Sequence, residues 1–290
     1  MRPILFEFPK RSSLGQHIKE RLKAEEGCFT LRPFPDGESY LRIESNAKGR
    51  DVLINATLFR PNGWVLDLIF LADTLRSLGA KHIKLIAPYL AYMRQDKVFQ
   101  KGEALTSKIF AQLLSNHFDS LLTVDPHLHR TESLSEIYKI PTTVVQAAPL
   151  ISAWIHANVK DPILIGPDEE SRQWVQGIAG ELPLLVLKKE RNSKGHVNIT
   201  WPTFKDGNEK TPVFVDDIIS SGETMLQAIN QGKTLGLNKP VCVVIHPIFA
   251  GDSYEKLQQA GVLKIVSCNS IPHPSNVIDL APLIVQSLGS

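Results

Sequence analysis

The chain has 290 residues, which suits two domains of ordinary size or one large one. Its 32 basic and 30 acidic residues give a net charge of +2, which argues against a dedicated nucleic-acid binder. No apolar run approaches the length that spans a bilayer, and three widely separated cysteines favour neither a disulfide framework nor a zinc site. We therefore expect a cytoplasmic globular protein with no nucleic-acid or membrane partner.

Short apolar strands alternate with helical segments along the chain, which is typical of an α/β fold with parallel strands. Residues 51–87 predict a strand, a helix and a second strand that a proline closes, and residues 211–246 repeat this order. The repetition favours a duplicated α/β unit, although any two strand–helix–strand units share such a likeness. A short connection between two prolines predicts two domains, 1–146 and 147–290.

The segment Phe34–Pro35–Asp36–Gly37–Glu38 is the first whose side chains suit a ligand. Its Asp–Gly pair supplies a tight bend, so a β-hairpin is the simplest interpretation. An aromatic ring beside the carboxylates of Asp36 and Glu38 could also stack on a base and accept from an exocyclic amine.

The segment 88–97 follows the strand that ends at Ala87 and combines aromatic rings with Arg94, Gln95 and Asp96. Open α/β sheets bind ligands beyond the carboxyl ends of their strands, where this segment falls. The planar guanidinium of Arg94 matches the oxygens of a polyphosphate. A solvated surface loop explains the same residues equally well.

The segment 123–130 ends the next strand and carries two histidines, His127 and His129, beside Asp125. Neutral imidazoles at i and i+2 could hold a metal ion. Histidines in such a pair are more often surface or core residues, so the pattern alone leaves both interpretations open.

In the second half, a strand ends in Asp168, and a further strand leads into a basic segment with Lys189 and Arg191. Transfer of a phosphoryl-type group requires mainly positioning and positive charge near the moving phosphate. A mobile cationic loop that closes over a nucleotide would supply that charge. A solvated run of charged residues is the alternative.

The segment 213–224 predicts a buried strand, two carboxylates, a loop of small residues and the start of a helix. The N–H groups at a helix N-terminus favour an anion, most naturally phosphate. Asp216 and Asp217 add acceptors for vicinal hydroxyls or a partner for Mg²⁺. A ribose 5-phosphate would satisfy both features, whereas a simple turn would use Asp217 or Ser220 only to cap the helix.

Together these segments resemble ribose-phosphate diphosphokinase, the phosphoribosyl pyrophosphate synthase family, over nearly the whole chain. The resemblance implies an α/β fold of two tandem phosphoribosyltransferase-type (type I) domains with mainly parallel central sheets. It implies transfer of the diphosphoryl group of Mg-ATP to the C1 hydroxyl of ribose 5-phosphate, giving AMP. It also implies a homodimer or higher homo-oligomer in which a neighbouring subunit contributes the hairpin loop to the ATP site.

The resemblance assigns a role to each matching residue. It gives catalysis to Lys189 and Arg191, and the metal site, for Mg²⁺, to His127 and Asp168. It gives ATP binding to Phe34, Asp36, Glu38, Arg94, Gln95, Asp96 and His127. It gives ribose 5-phosphate binding to Asp216, Asp217, Ser220, Ser221, Gly222, Glu223 and Thr224.

Several residues depart from the family pattern. Glu223 replaces a glycine of the phosphate loop, where a carboxylate would repel a phosphate unless its side chain points away. Glu169, Glu170 and Ser171 stand where small glycines are usual. These departures support the alternative of a non-catalytic, synthase-associated regulatory subunit. A phosphoribosyltransferase that consumes the product is a third interpretation, but it needs no ATP site and leaves two segments unexplained.

Overall fold

Two parallel sheets organise the computed structural model, which describes residues 2–128, 130–191, 197–201 and 209–289. The chain separates into two units, Met1–Val145 with Ala281–Ser290, and Gln146–Leu280. Each unit contains one six-stranded sheet, and all neighbouring strands in both sheets are parallel. The predicted α/β class with parallel central sheets is confirmed.

The strands of the first unit form a main sheet and a separate hairpin. In chain order they are β1 (Ile4–Phe8), β2 (Glu25–Glu26), β3 (Phe29–Pro33), β4 (Ser39–Ile43), β5 (Asp51–Ala56), β6 (His82–Ala87), β7 (Ser120–Val124) and β8 (Thr142–Val145). The main sheet has the order β2-β1-β5-β6-β7-β8, while β3 and β4 pair with each other in antiparallel fashion.

Three helices lie between these strands: α1 (Ser13–Leu22), α2 (Val65–Ser77) and α3 (Thr106–His117). The hydroxyl of Ser12 caps α1 by accepting from the N–H of Gly15 at 3.0 Å. The apolar face of α2 buries Leu68, Leu71 and Leu75. Because helices cover both faces of a parallel sheet, its central strands are mainly apolar, as Val52–Ile54 of β5 and Leu85–Ala87 of β6 are.

The second unit repeats this plan. Its strands are β9 (Pro162–Gly166), β10 (Leu184–Val186), β11 (Lys188–Arg191), β12 (Val197–Thr200), β13 (Thr211–Ile219), β14 (Val241–Pro247), β15 (Lys264–Cys268) and β16 (Asn276–Ile278). The main sheet has the order β10-β9-β13-β14-β15-β16, and β11 and β12 form an antiparallel pair. The predicted recurrence of strand, helix and strand in the two halves is confirmed.

Four helices belong to this unit: α4 (Ala148–Asn158), α5 (Arg172–Ala179), α6 (Glu223–Thr234) and α7 (Ser253–Gln259). One buried cluster joins β13 and β14 to α6 and α7 through Phe214, Val244, Met225, Ile229 and Leu257. This packing holds the start of α6 directly after the carboxyl end of β13, where ligands bind in parallel sheets.

The last helix, α8 (Ala281–Gly289), belongs to the first unit, whereas the sequence predicts a second domain that runs to residue 290. It packs against α1 and β8, and it buries Ala281 and Ile284 completely. Burial of these apolar side chains explains why the helix belongs to the first unit although it follows the second unit in sequence. Across the described ranges, no helix combines the length and apolar character that a membrane span requires.

Candidate functional site

The loop Ser220–Gly222 joins the end of β13 to the start of α6. Gly222, at the N-cap, has φ of 71° and ψ of 2°, a left-handed conformation that glycine adopts without the strain of a side chain. No side chain caps the helix there. Since the first N–H groups of a helix have no partner within the helix, this end of α6 is suited to bind an anion.

A segment after β14 supports the loop from the other side. The N–H groups of Phe249 and Ala250 each donate at 2.9 Å, to the carbonyls of Ile219 and Ser220. The hydroxyl of Ser253 donates to the same Ser220 carbonyl at 3.0 Å. The loop backbone is therefore fixed before a ligand arrives. The sequence prediction missed this support, for which no local motif exists.

Three carboxylates gather beside the loop. β9 pairs directly with β13, which brings Asp168, just after β9, near Asp216 and Asp217. Asp217 is 4% exposed, and its carboxylate accepts from the N–H of Ile218 at 2.8 Å. Burial, followed by the charges of Asp217 and Asp168, raises the pKa of Asp216 well above its ordinary value. The site therefore favours a cation or donors such as sugar hydroxyls.

Ser171 holds the turn that carries Asp168. The N–H of Ser171 donates to Oδ1 of Asp168 at 3.3 Å, and its hydroxyl donates to the Asp168 carbonyl at 2.6 Å. Ser171 is completely buried, and a Cβ at Gly166 would lie 2.5 Å from its hydroxyl. The buried hydroxyl therefore fixes the turn through the Asp168 carbonyl, while the carboxylate itself is held by the backbone N–H of residue 171.

Glu223 is exposed at the first position of α6. Across from it, Asp252 forms an ion pair with Lys256 at 2.9 Å. The hydrogen bond and charge of Asp252 raise the pKa of Lys256, and the charge of Glu223 adds to that shift. The negative charge of Glu223 is therefore partly offset by a nearby ammonium group, which weakens its repulsion of a phosphate.

The two predicted catalytic residues lie on a strand rather than in a loop. Lys189 is paired with Ile199 and Arg191 with Val197 in the β11–β12 ladder. The prediction of a loop was wrong for these two residues, because their backbone groups find partners in a second strand. Their side chains, together with residues 192–196, lie outside the described part of the structure.

The segment Phe34–Glu38 forms the tip of the β3–β4 hairpin, so the hairpin interpretation is confirmed. The N–H of Phe34 donates to the Glu38 carbonyl at 2.6 Å, and the N–H of Glu38 donates to the carboxylate of Asp36 at 3.2 Å. The ring of Phe34 is 40% exposed. Cζ of Arg32 lies 4.4 Å from the centroid of the Tyr40 ring and 5.2 Å from that of Phe34. The tip thus presents an exposed aromatic ring between polar groups.

The residues Arg94, Gln95 and Asp96 lie in the loop between β6 and α3. Arg94 is exposed, while Oε1 of Gln95 accepts from the hydroxyl of Thr106 at 3.1 Å. Oδ1 of Asp96 lies 2.7 Å from Nη1 of Arg130, which follows β7. The structure therefore brings together the ends of two neighbouring strands that the sequence shows only as separate segments. It also adds Arg130, to which the sequence assigns no role.

His127 is half-buried in the same unit, two residues after Asp125. Asp125 has φ of 34° and donates its N–H to the Val145 carbonyl at 3.0 Å. In the described ranges, no three His, Cys, Asp or Glu side chains gather closely enough to hold a metal ion. His127 and Asp168 belong to different units, so their joint metal site stays a prediction, and His129 lies outside the described residues.

The fold and the anion-binding loop define a protein of the phosphoribosyltransferase class. A model of the N-terminal domain of ribose phosphate pyrophosphokinase matches residues 4–117, and one of the phosphoribosyl transferase domain matches residues 133–283. The chain belongs to the ribose-phosphate pyrophosphokinase family.

Similar proteins are found among archaea and bacteria. Ribose-phosphate pyrophosphokinase from Sulfolobus acidocaldarius is 32% identical over 88% of this chain and 89% of that protein. The enzyme from Saccharolobus solfataricus is 35% identical over 82% of each chain. The crystal structure of phosphoribosylpyrophosphate synthetase from Mycobacterium smegmatis superposes with a TM-score of 0.88, covering 100% of this chain and 98% of that one. At 23% identity, this last match shows the fold alone.

Proposed function

We propose that this protein transfers the diphosphoryl group of ATP to the C1 hydroxyl of ribose 5-phosphate, giving phosphoribosyl pyrophosphate and AMP. The family and the names of its similar members support this reaction. The single observation in the molecule that carries it is the Ser220–Gly222 loop, held at the start of α6 next to a pair of carboxylates.

The second unit binds ribose 5-phosphate. The 5-phosphate accepts hydrogen bonds from the backbone N–H groups between Ser220 and Thr224, where the helix dipole is positive. The ribose hydroxyls donate to Asp216 and Asp217, which lie side by side at the end of the strand. The supports from Phe249, Ala250 and Ser253 keep the loop in position, so that little conformational entropy is lost when the sugar phosphate binds.

The first unit binds ATP. The exposed ring of Phe34 stacks on the base, while Asp36 and Glu38 accept from its exocyclic amine. Arg94 and Gln95 hold the phosphates and ribose, with His127 steering the metal–nucleotide complex. By the family resemblance, the hairpin tip serves the site of a neighbouring subunit, which requires at least a homodimer.

Mg²⁺ is the ion that the family resemblance implies. Carboxylate oxygens are the ligands that this ion prefers, and Asp168 lies in a cluster of like charges that a divalent cation relieves. The family resemblance assigns Asp168, in the second unit, and His127, in the first unit, each to metal binding. When bound, Mg²⁺ neutralises negative charge on the transferred diphosphoryl group. Lys189 and Arg191 add positive charge that stabilises the transition state, in which negative charge spreads over the phosphoryl oxygens.

A non-catalytic subunit is less well supported. That alternative rests on Glu223 and on the residues that follow Asp168. Glu223 is exposed and its charge acts on Lys256, while the N–H of Ser171 holds the carboxylate of Asp168 without the usual glycines.

The proposed synthesis of phosphoribosyl pyrophosphate is consistent with the cytoplasmic location expected from the sequence.

The direct test is the release of AMP from ATP by the purified full-length protein. We expect release only when ribose 5-phosphate and Mg²⁺ are both present, with phosphoribosyl pyrophosphate formed in equal amount. Ribose without the phosphate group is the matched control, because it cannot use the loop at the start of α6. Absence of product with both substrates, in the presence and absence of inorganic phosphate, would overturn the proposed reaction.

A further inference from the structure

The ion pair between Asp96 and Arg130 is built on a buried carboxylate. The side chain of Asp96 is 4% exposed, whereas that of Arg130 is 38% exposed. Nη1 of Arg130 lies 2.7 Å from Oδ1 of Asp96. A buried carboxylate requires a partner, so Asp96 fixes one edge of the guanidinium while the rest of the arginine reaches the surface.

An aromatic ring provides a second contact for the same guanidinium. Cζ of Arg130 lies 5.8 Å from the centroid of the Phe99 ring, and Nζ of Lys97 lies 4.6 Å from it. Phe99 is 61% exposed, so the core does not hold it. Instead the carboxylate of Glu103 accepts from the N–H groups of Phe99 at 2.7 Å and Gln100 at 3.1 Å, which fixes the loop. Two cations are thus held on one surface ring.

Stability alone does not explain this arrangement. In the described part of the chain, Oδ2 of Asp96 is buried and has no hydrogen-bond partner. A buried carboxylate oxygen without a donor costs free energy, and replacement of a buried ion pair by apolar groups is often neutral or stabilising. Exposure of a phenylalanine adds a further cost. Such costs are typical of residues that serve a ligand.

The ligand is a polyanion. Residues 94–105 contain the cations Arg94, Lys97 and Lys101 and the carboxylates of Asp96 and Glu103. With Arg130, which is paired with Asp96, this part of the surface has an excess of two positive charges. A guanidinium carries five N–H donors in a planar fork that matches phosphate oxygens. An arginine held by an ion pair and a ring loses little side-chain entropy when it binds.

We propose that Arg130 binds the polyphosphate of ATP, and that Asp96 and Phe99 are positioning residues that hold it ready. This inference rests on the proposed function, since it deepens the ATP side of that reaction. It adds a second residue of the segment after β7, beside His127, to the nucleotide site, and it gives the exposed ring of Phe99 a role.

The test compares two arginines in similar ion pairs. Arg76 is 42% exposed, and its Nη2 lies 3.2 Å from Oδ1 of Asp119, which precedes β7, whereas Arg130 follows the carboxyl end of that strand. Arg130→Met, Arg130→Lys and the control Arg76→Met are made in the full chain. Binding of Mg-ATP is measured by calorimetry without ribose 5-phosphate, and KM and kcat are measured in the AMP-release assay.

We expect Arg130→Met to weaken Mg-ATP binding by about tenfold to a hundredfold, the range for a hydrogen bond to a charged group. The KM for ATP rises in parallel, while kcat at saturation and the KM for ribose 5-phosphate change little. Arg130→Lys restores part of the affinity, and Arg76→Met leaves it unchanged. Phe99→Leu weakens binding by roughly twofold to fivefold without lowering the melting temperature, because it removes only a cation–π contact.

Unchanged Mg-ATP affinity in Arg130→Met, or a lower melting temperature with an unaltered KM, would overturn the inference and make Arg130 structural. If Arg130→Met does not fold, Arg130→Lys and Phe99→Leu decide by the same criteria. If the wild type releases no AMP but Arg130→Met still binds Mg-ATP more weakly, the proposed reaction fails and the phosphate-binding role of Arg130 stands.

Discussion

The corresponding strands of the two units end in residues of different charge. β5 in the first unit and β13 in the second occupy the same place in their sheets and lead into equivalent helices, α2 and α6. When their apolar triplets are aligned, Asn55 stands where the second unit has Asp216, and Ala56 stands where it has Asp217. The first unit therefore has a neutral strand end at the position where the second unit has a strongly acidic one.

In the first unit, the side-chain amide nitrogen of Asn55 is hydrogen-bonded to Glu7. Nδ2 of Asn55 donates to both carboxylate oxygens of Glu7, at 3.1 and 3.2 Å. Glu7 also accepts from the hydroxyl of Ser12 at 3.1 Å. Burial raises the pKa of Glu7 in spite of these hydrogen bonds. The first unit thus pairs the amide of Asn55 with one carboxylate, whereas the second places two adjacent carboxylates near a third, that of Asp168.

The loops that follow β5 and β13 also differ in their side chains. After β5, the buried side chains of Leu58 and Pro61 fill the turn before α2. After β13, the loop contains only two serines and a glycine before α6. Duplication of a scaffold therefore conserves the sheet, while the side chains at the strand ends determine the chemistry.

The largest expected effect is on kcat, and it concerns Lys189, whose positive charge lies at neither of the two compared strand ends. Lys189→Ala should lower kcat by on the order of 10²–10³, because removal of one transition-state donor costs about that much. The affinity for ATP should change little, since the residue acts in the transition state. Single-turnover kinetics at saturating ATP provide the measurement. A collapse of ATP affinity with preserved turnover would show that the assigned role is wrong.

Asp216→Asn places asparagine in the second unit at the position that matches Asn55 of the first unit. We expect the affinity for ribose 5-phosphate to fall by about tenfold to a hundredfold, since a charged acceptor for a hydroxyl is lost. The melting temperature should rise, because the repulsion from Asp217 and Asp168 disappears. Calorimetry with ribose 5-phosphate and thermal unfolding measure the two effects. Unchanged affinity would break the proposed contrast between the strand ends.

The converse substitution, Asn55→Asp, should destabilise the first unit by about 3 kcal/mol, because it buries an unpaired charge beside Glu7. The pKa of Glu7 is already raised, and a second carboxylate raises it further. A carboxyl group with a raised pKa in the folded state loses its favourable contribution as pH rises through that pKa. The loss of unfolding free energy should therefore be larger at pH 8 than at pH 5. Urea unfolding at both values tests this, and an effect independent of pH would contradict it.

The smallest effect is expected at Glu223. Glu223→Gln should raise the affinity for ribose 5-phosphate by less than about threefold, since the side chain is exposed and its charge is screened. Lys256→Gln should lower that affinity slightly, because the ammonium group near Glu223 is removed. Titrations at low and high salt provide the measurement. A tenfold gain for Glu223→Gln would mean that the carboxylate faces the phosphate directly.

The sequence predicted what local patterns determine. Apolar runs marked β5, β6, β13 and β14, and the Asp–Gly pair marked the hairpin between β3 and β4, because strand burial and turn geometry depend on neighbouring residues. The aspartates after β13 were recognisable for the same reason.

Contacts between distant segments could not be predicted in this way. The Asp96–Arg130 pair exists because β6 and β7 are neighbours in the sheet, and the support of Ser220 by Ser253 depends on β13 and β14 being adjacent. The strand β11 was missed because the basic residues Lys188, Lys189 and Arg191 are typical of a loop, and only pairing with β12 makes them a strand. Pairing between strands, which the local sequence does not encode, decides all three.

The position of α8 has a consequence for synthesis of the chain. The helix completes the first unit, yet its residues are made after those of the whole second unit. Domains generally fold from the N-terminus as they emerge, but here α1 lacks the helix that packs against it until the second unit has been synthesised. A nascent chain stalled before Ala281 should thus carry an N-terminal unit more sensitive to protease than a chain that includes α8. The order in which the units mature is then the reverse of the order in which they are made.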